Sequence, residues 1–305
     1  MENKNKNLNL KRILIYLLIT FALTWAYCLV VVYPVANGES LSGVPSLITQ
    51  LAVVVVMFFP SIGVFLTRLV TREGFQNSWL KPNLKKNIRY YLLAWFGPAV
   101  LTLAGMGIYF LLFPENLDLS FGYFASTLEA AGAPMETLPI PIELLMLVQS
   151  VQAILLAPLL NFITCFGEEW GWRGYLVPKM KGLLPTVPML LITGIIWGLW
   201  HAPLTIIGHN YGLGYPGFPF TGIAMMCLFC VVVGIFLSYV TLKTNSCIPA
   251  ILGHGAINGF AAIGIYFTKD GGNPFIGPAP TGFIGMIPFM IVAVFMVISL
   301  SKKRS

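Results

Sequence analysis

Apolar runs of about 20 residues recur along this chain, and no other feature restricts its fold as strongly. A bilayer core about 30 Å thick needs roughly 20 helical residues to cross it. Runs of that kind occupy residues 13–33, 47–67, 90–113, a long stretch within 145–178, then 187–207, 220–242, 248–267 and 283–300. They do not alternate apolar and polar positions, so they do not suit the roughly ten-residue strands of a membrane barrel. The expected fold is all-α, a polytopic membrane protein with about eight transmembrane helices. Composition points the same way. Of 305 residues, 57% are hydrophobic and 10% charged, whereas soluble domains carry about a quarter of their residues charged.

The few charges test the span count. Eight spans place both termini on one side, and with the N-terminus in the cytoplasm the inner segments collect 17 of the 18 bases. These are Lys4, Lys6, Lys11 and Arg12; Arg68, Arg72, Lys81, Lys85, Lys86 and Arg89; Arg173, Lys179 and Lys181; Lys243; and Lys302, Lys303 and Arg304. Lys269 alone falls outside, with the acids Glu39, Glu115, Asp118, Glu129, Glu136 and Asp270. An asymmetry of this kind is the positive-inside signature, and it implies cytoplasmic N- and C-termini and a multi-pass protein of the cell membrane. The net charge of +7 therefore reports topology; no nucleic-acid partner is expected. The first apolar run is about 21 residues and lacks a small-residue cleavage pattern, so it reads as a retained helix and not a signal peptide. The five cysteines, Cys28, Cys165, Cys227, Cys230 and Cys247, lie in or at the ends of spans and imply no disulfide framework.

Organisation follows the charge map. Residues 1–145 read as a scaffold of three helices and their loops, with no acid, base or histidine in the apolar interiors. Residues 146–267 read as the chemical core, and 268–305 as a last helix with a basic tail. Prolines 60, 98, 158, 188, 203 and 249 are expected to kink helices. Between Glu143 and Asp270 the acids are Glu168 and Glu169, and the three histidines, His201, His209 and His254, fall in the same interval. Charged groups inside a membrane are costly and mark functional sites.

Three clusters carry this polarity. In Gly167-Glu168-Glu169-Trp170-Gly171-Trp172-Arg173-Gly174, Glu169 and Arg173 are helical i,i+4 partners with the acid N-terminal, the favourable order for an ion pair. Glu168 points about 100° away and is left as a candidate general base. In Trp197-Gly198-Leu199-Trp200-His201-Ala202-Pro203, His201 shares its height with Glu168 if the chain turns near residues 182–185, both lying on the order of 20 Å from that turn. In Gly253-His254-Gly255-Ala256-Ile257-Asn258-Gly259, His254 and Asn258 share one helix face. Glycine pairs 167/171, 194/198 and 255/259 let backbones approach closely beside each cluster. A carboxylate, two imidazoles and an amide suit hydrolysis. Glu168 and one histidine activate a water, directly or through a bound metal, while Asn258 and the other histidine hold an oxyanion. Two other classes use the same groups: a silent peptide-binding or immunity protein, and a proton relay or transporter.

Glu-Glu-x-x-x-Arg at 168–173, aromatic-x-x-x-His at 197–201 and His-x-x-x-Asn at 254–258, on consecutive spans, resemble the CPBP family, the CAAX-processing and bacteriocin-processing intramembrane proteases. The resemblance covers roughly residues 148–260. It implies peptide-bond hydrolysis, with Glu168 as main acid/base, His201 assisting, and His254 and Asn258 in the oxyanion site. Its implied substrate is a peptide or protein in or near the bilayer. A divalent metal such as zinc, held by Glu168, His201 and His254, and a metal-free glutamate mechanism both fit the family. Trp197 stands where the family usually has Phe, which bears on the width of the substrate cleft. His209, in a Gly-rich outer loop, matches no family motif.

Overall fold

The computed structural model describes residues 2–37, 47–133, 136 and 138–302; Glu39, Lys303 and Arg304 of the charge map lie outside them. Within the described residues the regular structure is helical, with two isolated β-bridges, Leu117 to Thr268 and Asn273 to Gly277. The first span is α1 (Glu2–Tyr27), a π-helical turn (Cys28–Val32) and α2 (Tyr33–Asn37). The second is α3 (Leu47–Val56) and α4 (Phe59–Val70), the third α5 (Ile88–Leu112), and a short α6 (Gly122–Ala130) follows in the acidic segment. Next come α7 (Ile142–Leu160), α8 (Phe162–Gly171), a second π-helical turn (Trp172–Leu176) and α9 (Val177–Lys181). The chain ends with α10 (Thr186–Trp200), α11 (Ala202–Ile206), α12 (Phe220–Thr244), α13 (Ile248–Phe260) and α14 (Phe283–Ser301).

Seven of these segments are long and apolar enough to cross a membrane, and α10 is a shorter eighth that continues as α11. The protein is an all-α polytopic membrane protein. Its outward faces bear exposed apolar side chains such as Leu111, Leu160 and Phe220, which suit lipid and not water. One apolar core runs from Ile13 of α1 to Met296 of α14.

The prolines act differently from the expectation of uniform kinks. Pro98 and Pro158 do sit inside α5 and α7. Pro60, Pro203 and Pro249 instead stand in the first turns of α4, α11 and α13, and Pro188 lies in the first turn of α10. A missing N–H costs nothing there, because first-turn donors have no intrahelical acceptor. The long stretch within 145–178 is likewise not one helix, since α7 ends at Leu160 and α8 restarts at Phe162. A straight helix over that length would overshoot the hydrocarbon layer.

Glycine sets how closely the central helices approach. A Cβ on Gly194 would lie 2.5 Å from Val231 Cα of α12, closer than any real side chain tolerates. Gly194→Val must therefore push α10 from α12, with an overpacking cost of about 1–3 kcal/mol or more. Gly107→Val is the control, because a Cβ there meets no atom within 4 Å. Thermal unfolding in detergent should show a lowered midpoint for the first variant and a near-native one for the second. Equal midpoints would refute the close crossing.

Candidate active site

Helix α8 supplies two adjacent carboxylates, both buried, and their partners differ. Glu169 is the anchored one. Its Oε1 accepts from Arg173 Nη1 at 2.8 Å and lies 2.9 Å from His254 Nδ1, so one oxygen ties α8 to the π-helical turn and to α13. The ion pair inferred from i,i+4 spacing is thus present, and His254 is a second partner that spacing did not reveal. The Arg173 guanidinium also sits 4.1 Å from the centre of the Trp197 ring, a cation–π contact in a desolvated place.

Glu168 faces the other way. Trp197 Nε1 donates to its Oε2 at 2.8 Å, which orients the carboxylate and leaves Oε1 for a second partner. The same indole meets His254 edge-on, with centroids 5.4 Å apart. Trp197 was expected to affect cleft width. Its role as a hydrogen-bond donor to Glu168 was not legible, because that contact depends on the ring's orientation between three helices.

The partner of Glu168 across the turn is therefore residue 197 and not 201, one helical turn from the height estimate. The π-helical turn at Trp172–Leu176 acts in the same direction, though five residues supply only part of the offset. A π-helix holds more residues per turn and rises less per residue than an α-helix. Glu168 is thereby drawn nearer the 182–185 turn than α-geometry gives. Even so, His201 remains on the same cavity.

His201 occupies the junction where α10 stops and α11 begins. Its Nδ1 lies 2.8 Å from the Trp197 carbonyl oxygen. A carbonyl only accepts, so Nδ1 carries the hydrogen, and in the neutral ring Nε2 holds the lone pair. Asn258, one turn beyond His254, is exposed, and its Nδ2 makes a single long contact of 3.7 Å to Cys165 Sγ.

Glu168, His201, His254 and Asn258 line one cavity of about 320 Å³ with Trp197 and apolar walls from Val56, Met226, Phe229 and Ile257. Glu169 and Arg173 stand behind that lining. His209 and Asn210 also border the cavity, although His209 fits no sequence motif. Gly208, at φ +94°, turns the chain back after α11, and His209 N–H then bonds the Leu204 carbonyl. The only sequence signal for this was that all three histidines fall in one interval. The helices read as plain scaffold contribute as well. Met57 borders the cavity, Ser61 Oγ donates to the Gly167 carbonyl at 2.7 Å, and Thr24 Oγ1 accepts from Trp200 Nε1 at 2.7 Å.

The zinc ligand set suggested by the resemblance was Glu168, His201 and His254. Among the described residues no three His, Cys, Asp or Glu side chains come together as metal ligands. Trp197 engages Glu168 through Oε2, Glu169 engages His254 through Nδ1 and the Trp197 carbonyl engages His201 through Nδ1, so Glu168 Oε1 and the two Nε2 atoms are the donors these residues would offer an ion.

A family model described as type II CAAX prenyl endopeptidase Rce1-like matches residues 150–260. This part of the chain is similar to that family of membrane endopeptidases. A curated relative, CAAX prenyl protease 2 of Methanococcus maripaludis, is 31% identical over 103 residues, which cover 30% of this chain. The aligned region spans about a third of that relative, 34% of its length. The matched segment contains Glu168, Glu169, Arg173, Trp197, His201, His254 and Asn258, and lies within α7 to α13. The cavity walls from α3 and from Met57 just after it lie outside it.

Proposed function

We propose that this chain is an intramembrane endopeptidase that hydrolyses a peptide bond of a hydrophobic or membrane-associated peptide. One observation carries the reading. A buried carboxylate, two imidazoles and an amide share a single apolar-walled cavity inside a helical bundle whose matched segment is of a protease family. The catalytic core is residues 146–267, the N-terminal scaffold 1–145, and the last helix and basic tail 268–305. The protein resides in the cell membrane with both termini in the cytoplasm, as the charge map implies.

The mechanism follows from which atoms are free. The attacking water is held between Glu168 and His201 Nε2, which the Trp197 carbonyl turns outward by engaging Nδ1. Glu168 takes the water proton as the oxygen attacks the scissile carbonyl carbon. The resulting oxyanion accepts from Asn258 Nδ2–H and from His254, whose ring is braced by Glu169. The proton on Glu168 then moves to the leaving nitrogen as the C–N bond breaks, giving a carboxylate and an amine. Trp197 keeps Glu168 aimed throughout, and Glu169 and Arg173 act as positioning residues.

Membrane peptides from cells carrying wild type and Glu168→Ala should differ, with intact substrates accumulating in the variant. Identical peptide populations would count against hydrolysis and favour a binding or immunity role. The reading also takes the glutamate-dependent route. Purified protein should keep its turnover after exhaustive chelation, to within about twofold. A loss that metal add-back restores would reassign the cavity donors to an ion.

A further inference from the structure

Positive charge at one end of the bundle accounts for orientation, but three of those bases do more than sit at an interface. Arg12 of α1, Arg68 of α4 and Lys179 of α9 are drawn into one cavity of about 600 Å³, which shares no lining residue with the Glu168 cavity. The one acid among its lining residues is Glu73, from the turn after α4. Its carboxylate meets Lys179 Nζ at 2.5 Å, Arg12 Nε at 3.5 Å and Arg68 Nη1 at 4.0 Å. Tyr175 Oη also donates to it, at 2.9 Å.

One carboxylate does not neutralise three cations. Burial pushes the Glu73 carboxyl up, but Lys179, Tyr175 and Arg68 outweigh it and hold the group below its usual range. Glu73 thus stays anionic at neutral pH, and the cluster keeps a surplus of two positive charges. Burial pulls the Lys179 ammonium below its ordinary range, with Glu73 opposing that pull. A second anion would add to that opposition. Arg68 is only 2% exposed, and its Nε is a buried donor without a partner among the described residues. Its Nη1 is committed to the Gly74 carbonyl at 2.6 Å, which fixes the guanidinium at the cavity wall.

We propose that this cavity binds a phosphate group. A phosphate monoester carries close to two negative charges at neutral pH, and its oxygens accept several charge-assisted hydrogen bonds at once. That matches the charge surplus, two guanidinium groups and an ammonium, and the Asn9 and Asn77 amides also lining the cavity. The group arrives on a lipid headgroup or on a soluble ester. This inference is independent of the peptidase reading, although Tyr175 on the cavity wall belongs to the π-helical turn that carries Arg173.

The test uses the full chain purified in a maltoside, whose headgroup contains no phosphate. Thermal unfolding is followed while inorganic phosphate is titrated against chloride at matched ionic strength, and separately while phosphatidic acid, a lipid phosphate monoester, is titrated against diacylglycerol. A saturable rise in midpoint in the first titration supports a soluble phosphate, and one in the second alone supports a lipid headgroup. Arg12→Gln, which removes a partly exposed and loosely held cation, should weaken the apparent affinity tenfold or more. Glu73→Gln should lower the ligand-free midpoint yet bind phosphate as tightly as wild type or tighter. These opposite signs separate a binding site from a structural charge cluster. No rise with either ligand, or a rise of equal affinity in Arg12→Gln, overturns the proposal.

Discussion

Glu168→Gln should lower peptide turnover by about 10²–10⁴-fold, the range for loss of a positioned general base. Folding should be spared. The glutamine oxygen can still accept from Trp197 Nε1, which donates to Glu168 Oε2 in the native protein. Glu168→Ala removes that acceptor, so the same loss of turnover is then joined by about 1–3 kcal/mol for an indole N–H left buried without a partner. The measurement is kcat on any hydrophobic peptide the wild type cleaves, beside a thermal unfolding curve. Native turnover in the glutamine variant would remove Glu168 from the chemistry.

Glu169→Ala should fail in the opposite order. Its Oε1 serves both Arg173 and His254, and Arg173 is 2% exposed. Removing it strands a buried guanidinium, which costs about 3–5 kcal/mol when one partner of a buried pair is deleted. Folded yield and unfolding midpoint should fall before activity can be assayed. The double variant Glu169→Ala/Arg173→Met should recover part of that loss, since no unpaired charge remains, and the cycle isolates the pair. A stable Glu169→Ala protein that lacks only turnover would make Glu169 the acting carboxylate. Neighbouring glutamates of identical chemistry thus have separate signatures, one kinetic and one thermodynamic.

This division of labour was partly legible. The i,i+4 spacing of Glu169 and Arg173 is a local property of a helix, so the ion pair follows from sequence and is present at 2.8 Å. The spacing of His254 and Asn258 is equally local, and both border one cavity. Contacts between helices were less accessible. Equal-height reasoning brought Glu168 and His201 to one level, but the direct partner of Glu168 is Trp197. Nothing in the residue pattern at Trp172–Leu176 announces the π-helical turn there. His209 was missed because its return to the cavity depends on a left-handed backbone at Gly208. Arg12, Arg68 and Lys179 were read only as topology markers, since their meeting at Glu73 joins residues as much as 167 positions apart in the sequence.

By itself the sequence determined the solvent, the helical class and the residues that carry polarity inside the membrane. Those properties follow from run length and from the cost of charge in lipid, and neither needs a neighbouring helix. Only the tertiary structure decided that the anchored carboxylate has His254 as a second partner and that the other is aimed by an indole. It also divided the prolines between helix interiors and helix starts, and it put a histidine from an unremarkable loop beside the cavity. Those outcomes depend on packing across distant elements, where a fraction of a turn changes which atoms meet.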